Sequence, residues 1–495
     1  MTPIILAVDQ STSATKAMLF SSSGALLNST SIEHRQYYPQ PGWVEHDADE
    51  IYHNTCRAIA TLLDRHPQVG DELLFLSLTN QRETVVVFER GTGRPLHHAI
   101  VWQCNRAEGV CRELVEEGHD ALVQNATGLK IDPYFPAPKL TWLFAHEPAI
   151  KEAVREGRAL VGTIDAYLVY RLTRGEVFAT DHTNASRTLL YNIARLGWDE
   201  TLCDLFGIPL TALPEVRESC AAFGETDVDG LLPRPIPIYG VMGDSQAALF
   251  AERCFEPGMA KVTFGTGSSV LLNLGDVIRR STNGIVTAVG WVLNGRPVYA
   301  FEGNINFTGA TVAWLRDQVG LIASSAETEG MALAVPDNGG VYLVPAFVGL
   351  GAPYWRPDAR GAIVGLTPAT TRNHLARAAL EAIAYQVCDV LRAMAQDAGV
   401  PLEVIHADGG AVRNRFLMQF VADITRYRLR ASSLPELSAL GAVMMGLLGA
   451  GVCRTLDDLA RLPAEAVDYA PLMDEGQVSR YYAGWQAAVR RVLVE

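Results

Sequence analysis

The sequence predicts an α/β protein of two domains, mainly because one strand–turn–strand pattern occurs twice. The first copy is residues 4–20, two apolar strands around a turn dense in serine and threonine, and the second copy is residues 259–273. A chain of 495 residues also exceeds what one hydrophobic core supports. We therefore expect one domain over residues 1–250 and another over residues 251–495.

The segment that follows the first hairpin indicates the kind of α/β domain. Residues 24–28 predict a third strand, reached through a Ser-Ser-Ser-Gly turn. Asp47 precedes the helical pattern of residues 48–65 and is expected to cap that helix. A three-stranded antiparallel opening followed by helices is typical of a ribonuclease-H-like domain.

A single carboxylate, Asp244, stands where the apolar strand of residues 235–241 gives way to a helix of small residues. The strand and the helix would hold its backbone rigidly while its side chain faces a cleft. We interpret Asp244 as the general base of a phosphoryl-transfer reaction. The rest of the chain would then bring a phosphoryl donor and a hydroxyl acceptor to it.

The two hairpin turns are candidates for binding polyphosphate. Backbone N–H and hydroxyl groups in such turns can surround a phosphate group without a Walker loop, and the sequence contains no G-x-x-x-x-G-K-[ST] motif. One such turn is weak evidence, since most Gly/Ser/Thr turns are only turns. Two in corresponding halves, the second preceded by Asp244, are stronger evidence. Gly409-Gly410 ends a further strand before a helix, where a ligand can approach the backbone closely.

Polar and aromatic residues of the first half are candidates for the acceptor side. Arg82 and Glu83 lie between two buried strands, where they either bind a ligand or form a structural ion pair. Trp102 follows a predicted strand and either walls an apolar side of a pocket or fills the core. Tyr134 lies on a proline-stiffened turn, so that its hydroxyl faces either solvent or a ligand.

Composition excludes some classes of partner. A formal net charge of −14 argues against a nucleic-acid surface, which needs clustered Lys and Arg. The eight cysteines form no C-x-x-C pair and are expected to be reduced thiols of a cytoplasmic protein. The longest apolar run, residues 439–452, is too short to cross a bilayer and predicts a buried helix. The first residues lack a basic region, so no signal peptide and no membrane insertion are expected.

With these stretches assembled, the chain resembles the FGGY carbohydrate kinases nearly from end to end. Residues 134–146 match the first signature of that family except at Ala145, and residues 361–381 fit the second signature throughout. Further stretches that carry the resemblance are residues 41–47, 80–83, 100–104, 128–134, 183–187 and 408–411.

The resemblance implies two ribonuclease-H-like domains of the actin-like ATPase type with an interdomain cleft. The implied reaction is ATP-dependent phosphorylation of a primary hydroxyl of a small polyol, with glycerol as the first expected acceptor. A four- or five-carbon polyol or ketose is the alternative. The resemblance leaves a homodimer or a homotetramer open.

Site residues follow from the resemblance position by position. Asp244 is the general base, and Asp9 and Asp244 hold Mg²⁺. The acceptor-binding positions are Arg82, Glu83, Trp102, Tyr134, Asp244, Ser245 and Ser269. The ATP-binding positions are Thr12, Ser13, Lys16, Thr266, Gly309, Gly410 and Asn414.

This sequence departs from the family pattern at several of these places. Ser245 and Ser269 stand where family members that act on glycerol usually carry glutamine and phenylalanine, so the pocket is expected to be larger and more polar. Ser11 replaces a glycine, and Ala14 replaces a hydroxyl residue in the first hairpin. Ala313 replaces a glutamine near the expected adenosine position.

Two other classes of function share part of this sequence pattern with a kinase. A non-metabolic actin-like ATPase would share the hairpins and the glycine turn but needs no polar acceptor pocket, which Arg82, Glu83, Trp102 and Tyr134 can supply. A catalytically silent sugar sensor would not need both Asp9 and Asp244. The sequence therefore favours an enzyme.

Overall fold

The computed structural model describes residues 3–493, which pack as two compact units. The first unit contains the chain up to Arg253 together with Ala288–Tyr299 and Pro435–Pro463. The second unit contains Cys254–Thr287, Ala300–Leu434 and the chain from Ala464 onward. The sequence predicts two contiguous ranges, 1–250 and 251–495. In the structure, residues 288–299 and 435–463 fall within the second range but belong to the first unit.

Strands occur in both units. Up to residue 253 they are β1 (Ile4–Gln10), β2 (Ala14–Ser21), β3 (Leu26–Glu33), β4 (Gln36–Tyr37), β5 (Glu45–His46), β6 (Leu73–Asn80), β7 (Val85–Glu89), β8 (Ala99–Ile100), β9 (Ala159–Thr163), β10 (Ala179–Asp181), β11 (Tyr191–Asn192), β12 (Gly197–Trp198), β13 (Glu215–Arg217), β14 (Glu225–Thr226) and β15 (Ile236–Gly243). The later strands are β16 (Met259–Phe264), β17 (Ser268–Gly275), β18 (Val286–Leu293), β19 (Arg296–Ile305), β20 (Tyr342–Val344), β21 (Ala362–Val364), β22 (Val404–Asp408), β23 (Arg428–Ser432) and β24 (Ala466–Tyr469).

Helices alternate with these strands. Up to residue 253 they are α1 (Ala48–Arg65), α2 (Val69–Glu72), α3 (Glu108–Glu116), α4 (Asp120–Thr127), α5 (Pro136–His146), α6 (Pro148–Arg155), α7 (Ile164–Leu172), α8 (His182–Ala185), α9 (Glu200–Phe206) and α10 (Asp244–Ala251). The later helices are α11 (Gly309–Asp317), α12 (Glu327–Leu333), α13 (Arg372–Asp397), α14 (Arg415–Thr425), α15 (Leu437–Gly449), α16 (Leu456–Ala460) and α17 (Glu475–Leu493). Short 3₁₀ helices occupy Leu210–Ala212 and Gly410–Arg413.

The main sheet of the first unit has the strand order β14-β15-β6-β1-β2-β3. Strand β2 runs antiparallel to both of its neighbours, β1 and β3, whereas β6 runs parallel to β1 and β15 runs parallel to β6. The three-stranded antiparallel opening from which the sequence predicts a ribonuclease-H-like domain is present, and β6 and β15 extend the sheet on the far side of β1. The parallel strands need crossover connections, which helices supply.

Burial explains which strands lie at the centre of this sheet. β1 and β2 are buried over nearly their whole length, as expected for strands that are covered on both faces. β3 alternates half-buried and exposed residues, which suits an edge strand. The core against this sheet includes Ile51 and Ile59 of α1 and Tyr167 of α7.

Two local predictions are confirmed by the helices. The side chain of Asp47 accepts hydrogen bonds from the N–H groups of Asp49 and Glu50, so that it caps α1. The apolar run at residues 439–452 forms most of α15, whose residues 439–447 are all buried. Across residues 3–493, the structure contains no helix with the length and apolar character that a membrane span requires.

The second unit repeats the arrangement of the first. Its hairpin strands β16 and β17 are antiparallel, and β22 lies parallel to β16, with β23 parallel to β22. The five strands are hydrogen-bonded in the order β17-β16-β22-β23-β24. The hairpin therefore occurs twice, as predicted, and in both units its first strand also pairs with a parallel strand.

A close contact between α10 and α15 sets the position of the helix that starts at Asp244. A Cβ atom at Gly441 would lie 1.9 Å from the carbonyl oxygen of Ala247, so only glycine allows the two helices to approach this closely. Four further residues of α15 are small, namely Ala439, Ala442, Gly446 and Gly449. The orientation of α10, and with it the direction of its first residue, thus depends on small residues in α15.

We predict that Gly441→Ala lowers stability, because the added methyl group overlaps main-chain atoms that cannot move independently. Overpacking of this kind costs about 1–3 kcal/mol. Gly109→Ala is the matched control: Gly109 lies in α3 and its Cβ would meet no atom within 4 Å. Urea denaturation should place the midpoint of Gly441→Ala below that of the parent and leave Gly109→Ala unchanged or higher. Equal midpoints for the two variants would contradict this account of the contact.

Candidate active site

Three strands of the first sheet end at the same edge and bring the candidate residues together. In the register of the sheet, Asp9 of β1 is opposite Thr79 of β6, and Thr79 is opposite Met242 of β15. Because these three strands are parallel, the residues at their carboxyl ends share one edge. Asp9, the Arg82-Glu83 pair and Asp244 consequently lie at that edge, although each comes from a different part of the chain.

Arg82 connects the carboxylates at this edge. Its Nε atom lies 3.2 Å from Oδ1 of Asp244 and 3.8 Å from Oε1 of Glu83. Its Nη1 donates a hydrogen bond of 3.1 Å to Oε1 of Gln246, and Gln246 in turn donates to the carbonyl of Val289. The guanidinium fork is thus fixed in one orientation by groups from two elements. The side chain of Arg82 is 4% exposed, whereas that of Asp244 is 38% exposed, so the carboxylate of Asp244 is the accessible partner.

Glu83 is held in an unusual backbone conformation. Its φ angle is 62°, in the left-handed region that a residue with a side chain rarely adopts. Its side chain is buried and its Oε1 accepts a hydrogen bond of 2.6 Å from Nε of Arg187. This left-handed residue lies in the short turn between β6 and β7, and the two arginines Arg82 and Arg187 compensate its buried charge.

Asp9, Lys16 and Glu436 form a second group of charges in the same unit. Lys16 is opposite Asp9 in the β1–β2 hairpin, and its Nζ lies 2.8 and 2.7 Å from the two carboxylate oxygens of Glu436. Burial raises the pKa of Asp9 to about 7, while Lys16 acts in the opposite direction. The negative charges of Asp244 and Glu436 add to the rise. This repulsion between carboxylates is what a bound cation would relieve.

Trp102 and Tyr134 lie against each other and form an aromatic surface. Their ring centroids are 5.5 Å apart, and both residues are half-buried. The indole N–H of Trp102 donates a hydrogen bond of 2.9 Å to the hydroxyl of Thr12. The half-exposed aromatic pair therefore touches the turn of the first hairpin directly.

Hydrogen bonds from His34 and Gln36 also hold the turn of the first hairpin. The carbonyl of Thr12 bonds to the ring of His34 at 2.9 Å and accepts a hydrogen bond from the amide of Gln36 at 2.8 Å. The backbone N–H of His34 donates to the carbonyl of Ser13. With their carbonyl groups occupied in this way, Thr12 and Ser13 keep a fixed turn in which Ser13 is exposed.

The second unit contains a cavity of about 670 Å³, a volume common for ligand sites. Its polar rim comes from the second hairpin turn and from the chain after β22. The remaining walls combine apolar side chains of α11, α13 and α14 with polar side chains of α11 and α12, among them Arg316 and Glu329. The predicted nucleotide positions Thr266, Gly309, Gly410 and Asn414 all line it, together with Ala313.

The start of α11 is fastened to the second hairpin turn. Gly309 donates its backbone N–H to the carbonyl of Gly265, and Ala310 donates to the carbonyl of Thr266, both at 3.0 Å. A Cβ atom at Gly309 would lie 2.6 Å from the carbonyl oxygen of Gly265. Gly410 differs, since a Cβ atom there would meet no protein atom within 4 Å.

Asn414 has a structural role in addition to lining the cavity. Its Oδ1 accepts a hydrogen bond from the backbone N–H of Leu417 and caps α14, and its Nδ2 donates to the hydroxyl of Thr328. The amide group is thereby oriented by two elements of the second unit. Such a fixed amide at a helix N-terminus suits an anionic or polar ligand group.

The two serines that depart from the family pattern lie in different units. Ser245 follows Asp244 in α10 of the first unit and is half-buried. Ser269 lies in β17 of the second unit, and its hydroxyl oxygen is buried without a hydrogen-bond partner in the described part of the chain. Their expected place in one acceptor pocket stays a prediction.

Comparison with known protein families identifies the chain. The model of the FGGY carbohydrate kinase N-terminal domain matches residues 4–251, and that of the C-terminal domain matches residues 260–450. The chain belongs to the FGGY family of carbohydrate kinases. Glycerol kinase 1 of Thermotoga maritima is 45% identical over 99% of this chain and 100% of its own length. The glycerol kinase of Halorhodospira halophila is 47% identical over 98% of this chain and 96% of its own length.

The fold agrees with that of a solved family member. A crystal structure of Plasmodium falciparum glycerol kinase with ADP matches with a TM-score of 0.94 and 36% identity, covering 100% of this chain and 99% of the other. The prediction of an actin-like protein with two ribonuclease-H-like domains is confirmed, and so is the prediction of a carbohydrate-kinase enzyme.

Sequence reasoning gave no role to three residues that the structure places in the candidate site. Arg187 binds Glu83 from 104 positions away, and Glu436 binds Lys16 from 420 positions away. Gln246 lies two residues after Asp244 and bonds to Arg82. No local sequence pattern predicts the two long-range pairs. Gln246 had a signal, because an amide at the start of a predicted buried helix needs a polar partner.

We predict that Gly410→Ala weakens nucleotide binding without affecting folding, because its new methyl group would point into open space of the cavity and not into the protein. Isothermal titration with ADP should show at least about a tenfold weaker affinity, or about 1.4 kcal/mol. Gly309→Ala is the contrasting variant and should lower the thermal midpoint as well, since its methyl group meets the backbone of Gly265. Unchanged ADP affinity in Gly410→Ala would mean that the nucleotide does not occupy this cavity.

Proposed function

We propose that this protein transfers the γ-phosphoryl group of ATP to a primary hydroxyl group of glycerol and so produces glycerol 3-phosphate. The observation that carries the proposal is the contact of 3.2 Å between Arg82 and the accessible carboxylate of Asp244, beside Glu83. In this contact the accessible carboxylate of Asp244, the proposed proton acceptor, lies beside the hydrogen-bond donor Arg82 and the hydrogen-bond acceptor Glu83. The full-length similarity to proteins named glycerol kinase supports glycerol as the substrate.

Each of these residues has a distinct role toward the acceptor. Arg82 donates and Glu83 accepts hydrogen bonds, so that together they can bind neighbouring hydroxyl groups of a polyol. Trp102 and Tyr134 offer an apolar surface for its carbon atoms. Asp244 takes the proton from the hydroxyl that attacks phosphorus, which is general-base catalysis. Arg82 keeps the carboxylate of Asp244 oriented while this happens.

The donor side is assigned to both hairpin turns. Thr12 and Ser13 would contact the phosphates through backbone N–H and hydroxyl groups, and Lys16 would contribute a positive charge. In the second unit, Thr266, Gly309, Gly410 and Asn414 would bind the rest of the nucleotide. Most of the rate would arise from positioning and from electrostatic stabilisation, as in phosphoryl transfer generally.

Magnesium is part of the proposal, and the residues present suit it. Asp9 and Asp244 carry oxygen ligands of the kind that Mg²⁺ prefers, and they are close enough for Asp244 to raise the pKa of Asp9. Residues 3–493 contain no cluster of three or more metal-ligating side chains. One or two carboxylates together with substrate phosphates are the usual ligands in kinases. When bound, Mg²⁺ would neutralise charge on the transferred phosphoryl group.

A longer polyol or ketose is the second candidate acceptor. It is favoured by the short side chains of Ser245 and Ser269 and by the buried hydroxyl oxygen of Ser269, which lacks a partner among residues 3–493. An acceptor with a further hydroxyl group could bind such side chains. Shape alone discriminates by about 1–3 kcal/mol, so glycerol could react in either case.

A cytoplasmic location is also proposed. Its support is that all eight cysteines are free thiols, as is usual in a reducing compartment. A homodimer or homotetramer stays a prediction.

The proposed reaction is tested by incubating the pure protein with ATP, Mg²⁺ and a panel of polyols, with ADP release and phosphorylated product both measured. We expect transfer to glycerol and weaker transfer to at least one four- or five-carbon polyol. A kcat/KM for a longer polyol more than about tenfold above that for glycerol would select the second candidate. ATP hydrolysis without transfer to any polyol would reject a polyol kinase.

We predict that Asp244→Asn lowers transfer to glycerol by about 10² to 10⁴, the usual contribution of a general base. Asparagine keeps the shape of the side chain and can still accept a hydrogen bond from Arg82, but it cannot take the proton. Nucleotide affinity, measured by titration with ADP, should stay within about threefold of the parent. Asp204→Asn, at an exposed aspartate of α9, is the matched control and should keep the turnover of the parent. Turnover of Asp244→Asn near that of the parent would show that another group takes the proton.

A further inference from the structure

Lys139 is a charged residue that the proposed reaction does not use, and it is completely buried in α5. Burial of an ammonium group is costly unless the group is paired or hydrogen-bonded. Its hydrogen bonds go to two main-chain carbonyl groups, those of Tyr134 at 2.5 Å and Trp102 at 3.4 Å. One buried ammonium group therefore binds the main chains of both residues of the aromatic pair.

The peptide of Tyr134 is fixed on its other side as well. Its N–H donates a hydrogen bond of 2.8 Å to the carboxylate of Asp132. With Asp132 holding the N–H and Lys139 holding the carbonyl, the turn before α5 has little freedom. The ring of Tyr134 can then pack in one place, 5.5 Å from the ring of Trp102.

We propose that Lys139 is a positioning residue for the acceptor, because its ammonium group ties Tyr134 to Trp102 and so fixes the aromatic surface on which the acceptor's carbon atoms pack. This inference rests on the proposed function, in which these two rings contact the polyol. A displacement of such a surface by about 1 Å is enough to lower the rate substantially. Lys139 touches neither substrate and acts only through the two carbonyl groups.

Burial lowers the pKa of Lys139 to about 7, so the group changes its charge near neutral pH. The thiol of Cys111, on the neighbouring α3, has its own pKa raised to about 12 by burial and is neutral there. The helices α6 and α9 also pack on α5, and none of their titratable groups is among the largest influences on the pKa of Lys139 in the described residues. The groups that do act on it all favour its protonated form and are Cys104, Glu83, Asp132 and Cys111.

The direction of the pH effect follows from these charges. Below about pH 7 the ammonium group makes charge-assisted hydrogen bonds, which are roughly twice as strong as those of a neutral amine. Above that pH the amine is neutral and holds the two carbonyl groups less firmly. The KM for glycerol should therefore rise with increasing pH through about 7, by about three- to tenfold.

The test compares Lys139→Met and Lys139→Arg with the parent enzyme in steady-state kinetics with glycerol and ATP from about pH 6 to about pH 8. Methionine fills the space without a donor, so the KM for glycerol should rise about tenfold while the KM for ATP stays within about twofold. Arginine keeps its charge over this range, so Lys139→Arg should recover part of the affinity and lose the pH dependence. Lys151→Met, at an exposed lysine of α6, is the matched control and should behave as the parent.

Several outcomes would overturn the inference. One is an unchanged KM for glycerol in Lys139→Met, and another is a pH dependence of that KM that is as steep in Lys139→Arg as in the parent. If Lys139→Met does not fold, Lys139→Gln takes its place, and an unchanged KM for glycerol in that variant excludes the role. Failure of the parent to phosphorylate any polyol would instead reject the proposed function.

Discussion

The site in the first unit depends on Arg82, whose guanidinium group contacts Asp244, Glu83 and Gln246. A buried guanidinium needs several partners, because each unsatisfied N–H in a region of low dielectric is costly. Those partners come from the segment between β6 and β7 and from α10, and Gln246 of α10 is itself held by the carbonyl of Val289. Because the buried charge of Arg82 needs these partners, it holds together elements that are distant in sequence.

The parallel strands make this arrangement possible. Their carboxyl ends coincide at one edge, so side chains that follow β1, β6 and β15 converge without any unusual fold. The left-handed Glu83 is the exception, since its backbone is strained and the strain is tolerated beside two arginines. Backbone strain at a residue that also carries a buried charge is typical of a position kept for binding.

The ion pair of Lys16 and Glu436 has a different character. Their side chains are 32% and 25% exposed, so water screens their attraction and the pair contributes little to stability. A polyphosphate carries more negative charge than one carboxylate and can compete for the ammonium group of Lys16. Glu436, itself in a left-handed conformation with φ of 56°, then provides a resting partner for a lysine whose proposed ligand is the nucleotide.

The sequence by itself determined the features that depend on neighbouring residues: the two hairpins, the cap at Asp47, the buried helix at 437–449 and the position of Asp244 where a strand meets a helix. Periodicity, capping and turn chemistry depend on residues that are close in sequence, so these features can be predicted from the sequence alone. Only the tertiary structure decided that Arg187 binds Glu83, that Glu436 binds Lys16, and that residues 288–299 and 435–463 return to the first unit. The reason is that these contacts depend on the order in which strands pair and on which helix covers them, and that order is set by the burial of the whole core.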